Sequence, residues 1–552
     1  MTTAQGVFLC LLLIANLVGA QDLVILGPVR TADEARPRAN ALVVKRGIVT
    51  SLSRADAEAA ALLPDMRVLR VPPGGIAMPG IVESHAHLLA VGRALRELDL
   101  SGTDSLAQAL DLIRRHCAQL PPGGVLEGRG WNQELWKEKR FPTAKELSAV
   151  TGDHPALLTR VDGHAIWVND LVLRAASINA TTPNPEGGEI VRTDANEPSG
   201  VLVDNAMSLV DATRSRSSNT IFTDFKAAER RCFEEGITTL VDAGESIENL
   251  NLLGALYAAG KADLRVASMV SINSEADLAL VLGRPPSLGL YDGRVNVSMV
   301  KLYADGALGS RGAWLLEPYT DRPDHCGFPV LAPQFLRKAI PQLMRAGWQV
   351  CVHCIGDRAV RETLDAMEEG LSQLDPRQRA SARPRIEHAQ HIATEDQRRF
   401  KDLGVIASMQ PCHATSDGQW AGERLGAQRM QSGAYVWRNL LSSGASIVAG
   451  TDAPVESLSP WRNFDAAVTR RMANGQQLTP EQCFSRGEAL LAFTTHGAKA
   501  ARFESITGLL RPGMAGDVIV LDRDPLTVEA TAIGGTRVIA TVLAGRVVHE
   551  SP

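Results

Sequence analysis

Short apolar runs recur through the middle of this chain, and several of them end on or beside a residue able to do chemistry. The runs are Thr238-Thr239-Leu240-Val241-Asp242, Arg265 to Val270, Val297 to Leu302, Gln349 to His353, Arg385 to His388, Val405 to Met409 and Ser446 to Gly450. Longer helix-like segments, such as Pro333 to Gly347 and Ala359 to Leu374, lie between many of them. Repeated strand–helix units over several hundred residues predict a parallel barrel, and such a barrel places its active site at the C-terminal ends of its strands. The first strand is predicted within Met78-Pro79-Gly80-Ile81-Val82-Glu83-Ser84-His85-Ala86-His87-Leu88. Alternate residues of a strand share a face, so His85 and His87 project into one space, as half of a metal site would. An isolated His-x-His is as often a pair of satisfied core histidines; the other strand ends decide.

The 552 residues exceed one ordinary core, so a large domain with at least one smaller one is expected. Residues 22–78 and 505–552 have the same texture. Both contain short apolar strands, and the Ala544-Gly545 turn between Val538–Leu543 and Arg546–His549 signals a hairpin. Together they predict one small β-sandwich built from both ends of the chain. The fold class is therefore α/β, a distorted TIM (β/α)8 barrel over 79–504 with that sandwich attached. Residues 92–215 break the strand–helix rhythm and read as an insertion over the barrel mouth.

Residues 7–20 are apolar apart from Asn16 and too short to span a bilayer comfortably. Small residues at Val18 and Ala20 suit cleavage before Gln21, so residues 1–20 are read as a signal peptide. Secretion or periplasmic export is expected, the alternative being an uncleaved membrane anchor; no membrane contact is expected after cleavage. A net charge of −5 without a long basic run argues against nucleic acid as a partner. The partner expected is a small-molecule substrate, and a homodimer is compatible with this reading. Seven cysteines remain after Cys10, without framework spacing, so a disulfide-stapled fold is not expected, although incidental bridges are compatible with the sequence. Cys351 and Cys354 are expected to pack as small apolar groups. Asn179-Ala180-Thr181 and Asn296-Val297-Ser298 are glycosylation sequons.

His85, His87, Lys301, His353, His388 and Asp452 would all converge on one barrel mouth. This ordered set resembles the metal-dependent amidohydrolase superfamily, and most closely its third amidohydrolase subfamily, the YtcJ-like or N-substituted formamide deformylase-like proteins. The resemblance covers residues 22–552. It is carried by Pro79 to His87, Val300-Lys301-Leu302-Tyr303-Ala304-Asp305-Gly306 through Arg311, Val352-His353-Cys354-Ile355-Gly356-Asp357, Arg385-Ile386-Glu387-His388-Ala389, Met409 to His413, Gly450-Thr451-Asp452-Ala453-Pro454 and Gly508 to Gly513. Two departures are visible. Glu83 stands where the family usually has Asp, with the prospect of disturbed packing or metal entry. Gly516-Asp517 replaces the usual Ala-Asp, a change expected to be harmless.

The resemblance implies that His85 and His87 bind one metal and His353 and His388 a second. Asp452 would bind the first and act as general base, and Lys301 would carry a CO2-derived carbamate bridging both ions. An ammonium among divalent cations is repelled and driven neutral, and a neutral amine can take up CO2. One or two divalent ions are expected. His and carboxylate ligands suit zinc best, with iron or manganese as alternatives. The implied reaction is hydrolysis of non-peptide carbon–nitrogen bonds, amide or formamide in type, by metal-activated hydroxide. Two rivals stay open: an ester or lactone hydrolase on the same site, and a catalytically silent secreted zinc-binding protein. His164, Asn169, Asp305, Arg311 and His413 are further candidates for substrate contact. His164 and Asn169 match a family motif within the insertion, and His164 is equally readable as a structural cap. Asp305, Arg311 and His413 are alternatively groups that orient ligands. Trp131, Trp136, Trp167, Trp420 and Trp437 could line an apolar pocket, with buried packing as the default.

Overall fold

The computed structural model describes residues 22–213 and 218–552. The expected signal peptide lies outside them. Eight parallel strands form the barrel: β1 (Ile81–Ala86), β2 (Ile237–Glu245), β3 (Arg265–Ser271), β4 (Val295–Tyr303), β5 (Gln349–Cys354), β6 (Arg385–His388), β7 (Ile406–Met409) and β8 (Ser446–Ala449). Their residues are almost all buried, as expected of strands covered on both faces. The helices foreseen between them are present, among them Pro333–Arg345 and Asp357–Ser372.

Ladder pairing runs from β1 through β2 to β8 but does not join β8 back to β1. The residues just past β8 close that seam. Asp452 N–H donates to His85 O at 2.7 Å, and His87 N–H donates to Ala453 O at 2.8 Å. Glu83 Oε1 accepts from His85 N–H (2.9 Å) and Thr451 N–H (2.8 Å). Gly450 permits this approach, because a Cβ there would lie 2.5 Å from Glu83 Oε1 and from His85 N. The packing disturbance anticipated from Glu83 does not arise; its longer carboxylate is spent clasping first strand to last. Burial pushes its carboxyl up to about 8, against the two backbone hydrogen bonds.

The strands of the two chain ends are joined in one eight-stranded ladder. The order is Arg546–Glu550, Val538–Leu543, Val518–Leu521, Ile76–Pro79, Leu23–Arg30, Arg38–Lys45, Ile48–Ser51, with Arg67–Arg70 beside Leu23–Arg30. Ile76–Pro79 is the hinge of the arrangement: it pairs antiparallel with Val518–Leu521 and leads straight into β1. Asp517 ties this sheet to the barrel through Arg265, 2.9 Å away and buried. Gly516 packs on Val44, where a Cβ would come within 2.5 Å of Cγ1.

The segment read as an insertion folds as a unit. Six strands between Leu98 and Asp204 form a second sheet with its own apolar core around Trp131, Trp136 and Trp167. Those indoles are therefore packing residues, as is Trp437 in the barrel core; Trp420 alone of the five lines the cavity described below. Buried Arg424 pins the insertion to the barrel, bonding Glu134 of the former and Asp321 of the latter.

The seven described cysteines are all free. The two sequons part company. Asn296 sits in β4 at 2% exposure, its amide donating to Ala501 O and Arg502 O, whereas Asn179 is exposed. Expressed through a eukaryotic secretory route, the protein is expected to carry glycan at Asn179 and none at Asn296. Peptide mass spectrometry checks this; an occupied Asn296 in folded protein would contradict the register of β4.

Candidate metal centre

The strand β1 stops one residue short of the His-x-His reading. His85 lies in the strand, while His87 is the N-cap of the helix Leu88–Ala94. The two rings stand at 88° with centroids 5.8 Å apart. Both still aim at one carboxylate: His85 Nε2 is 3.5 Å and His87 Nε2 3.3 Å from Asp452 Oδ1. His413 Nε2 reaches the other oxygen, Oδ2, at 3.5 Å. His388, the last residue of β6, completes the cluster, with its ring 4.9 Å from that of His85. Ligand atoms of His85, His388 and Asp452 all lie within 4.8 Å of one another.

The orientation of each ring is fixed from behind. Glu387 Oε2 lies 2.6 Å from His85 Nδ1, and an ionised carboxylate can only accept, so Nδ1 carries the proton and Nε2 is left for the site. Glu387 is held well below the usual carboxylate range; burial opposes this, but the Arg385 guanidinium and His85 outweigh it. Gln410 does the same for His388. Its amide donates to Ser408 O, so its Oε1, 2.9 Å from His388 Nδ1, is the acceptor. Burial, reinforced by the nearby Lys301, pushes the His85 imidazole down to about 4, and burial pushes His388 well below its ordinary value. Both are neutral at pH 7, as metal-binding imidazole must be.

Asp452 is held ionised. Burial works against this, and His87, His85 and His413 overcome it. His388 and Asp452 have φ of 70° and 56°, in the left-handed region that side chains other than Asn, Asp and Gly seldom enter. Backbone strain of this kind is held only where the surroundings over-determine it, and it clusters at functional sites. His85 Nε2 and Asp452 Oδ1 are buried and have no hydrogen-bond partner. Ligands 2.0–2.1 Å from a tetrahedral ion are separated by about 3.3 Å, so the His–Asp distances suit a shared divalent cation.

The division into two ion sites implied by the resemblance is less clear-cut in the geometry. His388 groups with His85 and Asp452, whereas His353 stands outside that trio. The His353 ring touches that of His388 at 4.4 Å, and its Nε2 faces Gly306 O at 3.4 Å. Lys301 lies two residues before the end of β4, at 1% exposure, with Nζ 4.8 Å from the Tyr303 ring centroid. Burial pushes its ammonium down, toward the neutral amine that carbamate formation needs.

A cavity of about 560 Å3 opens over this cluster, walled by barrel loops on one side and the insertion on the other. His164 and His413 both line it. His164 Nδ1 donates to Asp204 Oδ1 at 2.6 Å, and its ring lies 4.9 Å from that of His353. Burial would lower its pKa, but Asp204 prevails and holds it raised.

Three of the expected contacts have other partners in the structure. Asn169 caps the helix Asp170–Ala175: Oδ1 accepts from Val172 and Ala156, and Nδ2 donates to Thr151 Oγ1 and His154 O. All its bonding capacity is used inside the insertion. Asp305 accepts the backbone N–H groups of Trp314, Ile355 and Gly356, so it shapes the loop after His353, and its Oδ1 stands 3.7 Å from His353 Nε2. Arg311 pairs with Asp321 at 2.7 Å, away from the cavity lining. Conversely, Glu387 and Gln410 stand in the motifs that carry the resemblance without a role assigned to them, and Asp204 is not singled out by the sequence at all. Glu387 alone left a readable signal, since Arg385 and Glu387 alternate on one face of β6, a charged pair inside a barrel. Arg129, from the insertion, was also missed; it lines the cavity and donates to Pro454 O and Val161 O.

The chain is similar to known proteins along most of its length. The pattern of the family described as Amidohydrolase family matches residues 73–549. YtcJ of Bacillus subtilis (strain 168) is 32% identical over 485 residues, covering 86% of this chain and 89% of that protein. An N-substituted formamide deformylase of Arthrobacter pascens is 26% identical over 550 residues, covering 96% and 98%. Among solved structures, a metal-dependent hydrolase from Pyrococcus horikoshii OT3 superposes with a TM-score of 0.73 at 27% identity, covering 93% of this chain and 99% of that one.

Proposed function

The chain belongs to the amidohydrolase family, and from that premise we propose that it hydrolyses a non-peptide carbon–nitrogen bond of the amide or formamide type in a small molecule. The observation that carries the reading is the pair of buried, unpartnered atoms, His85 Nε2 and Asp452 Oδ1, set beside the neutral His388 imidazole at the floor of a cavity. His85, His87, His388 and Asp452 would hold a divalent cation, with His353 and a carbamylated Lys301 available to a second. Such a cation supplies Lewis acidity, which acidifies a water molecule and polarises the scissile carbonyl.

The remaining work falls to side chains. Asp452 accepts the proton of the attacking water and returns it to the leaving nitrogen, so the amide ends as a carboxylic acid and an amine. His164, with Nδ1 tied to Asp204, presents its other nitrogen to the cavity as a donor for the carbonyl oxygen, on which negative charge develops. The insertion walls one side of the cavity and so narrows the access of water to the cluster. His164→Gln is expected to lower kcat/KM about tenfold, the scale of one charge-assisted hydrogen bond, while metal content stays at the parent level. An unchanged kcat/KM would return His164 to a purely structural role.

A panel of N-formyl and N-acyl amines, cyclic amides and esters, run with metal content measured on the same sample, tests the proposal. Turnover of amides that disappears on metal removal and returns on reloading is the expected result. Esters or lactones turned over in preference to every amide would favour the rival chemistry on this site.

A further inference from the structure

A second cavity, of about 430 Å3, lies on the flank of the barrel, between strands β3 and β4 and the helix Ile247–Ala258. It is separate from the metal centre, and a ligand held there is independent of the proposed reaction. Its wall is mainly apolar, with Leu88, Phe225, Leu250 and Leu253 toward the C-terminal end of the strands and Val266, Val295 and Val297 along their length; Asn251, Ser268 and Ser287 also line it. Two nitrogen donors stand at the opposite end. Trp348, the residue before β5, is 3% exposed, and its indole N–H has no hydrogen-bond partner. Arg284, just past the helix Glu275–Leu282, is exposed at the mouth, and no ion pair or side-chain hydrogen bond to it is found among the described residues.

The topology puts these two donors together. A helix running back from the top of one strand to the bottom of the next ends at the N-terminal side of the barrel, where β5 also begins. A buried N–H without an acceptor costs about 1–3 kcal/mol, and the cavity offers it a ligand atom instead. The rim adds a third observation. Leu290 and Tyr291, which line the cavity, leave 36% and 38% of their surface in solvent. Tyr291 and Asp292 hold left-handed φ of 51° and 58°, and the Tyr291 ring stacks on that of Tyr257 over the helix at Gly254. An apolar barrel flank with a cationic, donor-bearing end matches an amphiphile with an anionic head.

We propose that this cavity is a binding site for a medium-chain carboxylate, with the alkyl tail against Phe225 and Leu250 and the carboxylate between the Trp348 indole N–H and the Arg284 guanidinium. Titration of decanoate into the full chain, followed by calorimetry below the micellar range, tests it, with decanol as the head-group control. Saturable binding of one decanoate per chain is expected, with decanol bound more weakly. Arg284→Gln and Trp348→Phe should each weaken decanoate about fivefold, the scale of one net hydrogen bond. Arg284 is on the surface, so its variant folds in any case and decides the matter if Trp348→Phe melts early. No saturable binding, equal affinity for decanol, or parental affinity in Arg284→Gln would each overturn the proposal.

Discussion

Asp452→Asn is expected to lower kcat by at least about a hundredfold, the usual scale of general-base removal. The structure makes this substitution a clean one. Asn tolerates the left-handed φ of 56° as readily as Asp does, and the turn is held by backbone bonds to His85 and Glu83 that the side chain does not make. What disappears is the charge and the proton acceptor at the meeting point of His85, His87 and His413. Cation affinity should also fall, so the assay belongs at saturating divalent metal, with metal content measured on the same sample. KM should change less than kcat, because the cavity wall is untouched. A fully loaded Asn variant that turns over like the parent would remove Asp452 from the mechanism.

Glu387→Gln should cost more in folding than in chemistry. Glu387 is fully buried and accepts from Arg385 Nε at 2.8 Å, Arg385 Nη2 at 2.9 Å and His85 Nδ1 at 2.6 Å. The amide of Gln would turn donors toward donors and leave a buried guanidinium uncompensated. Breaking one partner of a buried ion pair costs about 3–5 kcal/mol, seen here as a fall in melting temperature. The His85 ring also loses its anchor, and loss of such a partner lowers metal affinity about 10- to 100-fold. The pH dependence has a definite sign. The folded pKa lies below the unfolded value of about 4.3, so the stabilisation is fully present above that value and fades as pH falls toward the folded one. The parent should therefore lose stability on acidification below about pH 4 more steeply than the Gln variant. Matching melting curves and zinc affinities in the two proteins would sink this account.

The barrel was legible because its signal is local. Each strand is a short apolar run, and its chemistry sits on its last residues, where a parallel barrel must gather them. His85, His388 and Asp452 could be placed from that rule alone. His87 could be placed only in part: the strand rule gave its neighbourhood but not the helix start that turns its ring across that of His85. Glu83 was visible as a carboxylate on the inward face. Its partner, the Thr451 N–H, is 368 residues away, and no local pattern reports that distance.

The insertion marks the boundary between the two kinds of information. Its irregular rhythm announced a separate unit, but not the six-stranded sheet, nor the side of it that meets the barrel. Asn169 and His164 looked alike as motif residues five positions apart. Packing turned the first into a helix cap with every bond satisfied and the second into a cavity-lining ring braced by Asp204. Asp305 and Arg311 were likewise drawn inward, to backbone N–H groups and to Asp321. Residue type and spacing set which groups can bind a metal and which strand ends carry them. Which polar atoms stay unpaired, and so free to bind anything, depends on neighbours brought from far along the chain, and only the tertiary structure decides it.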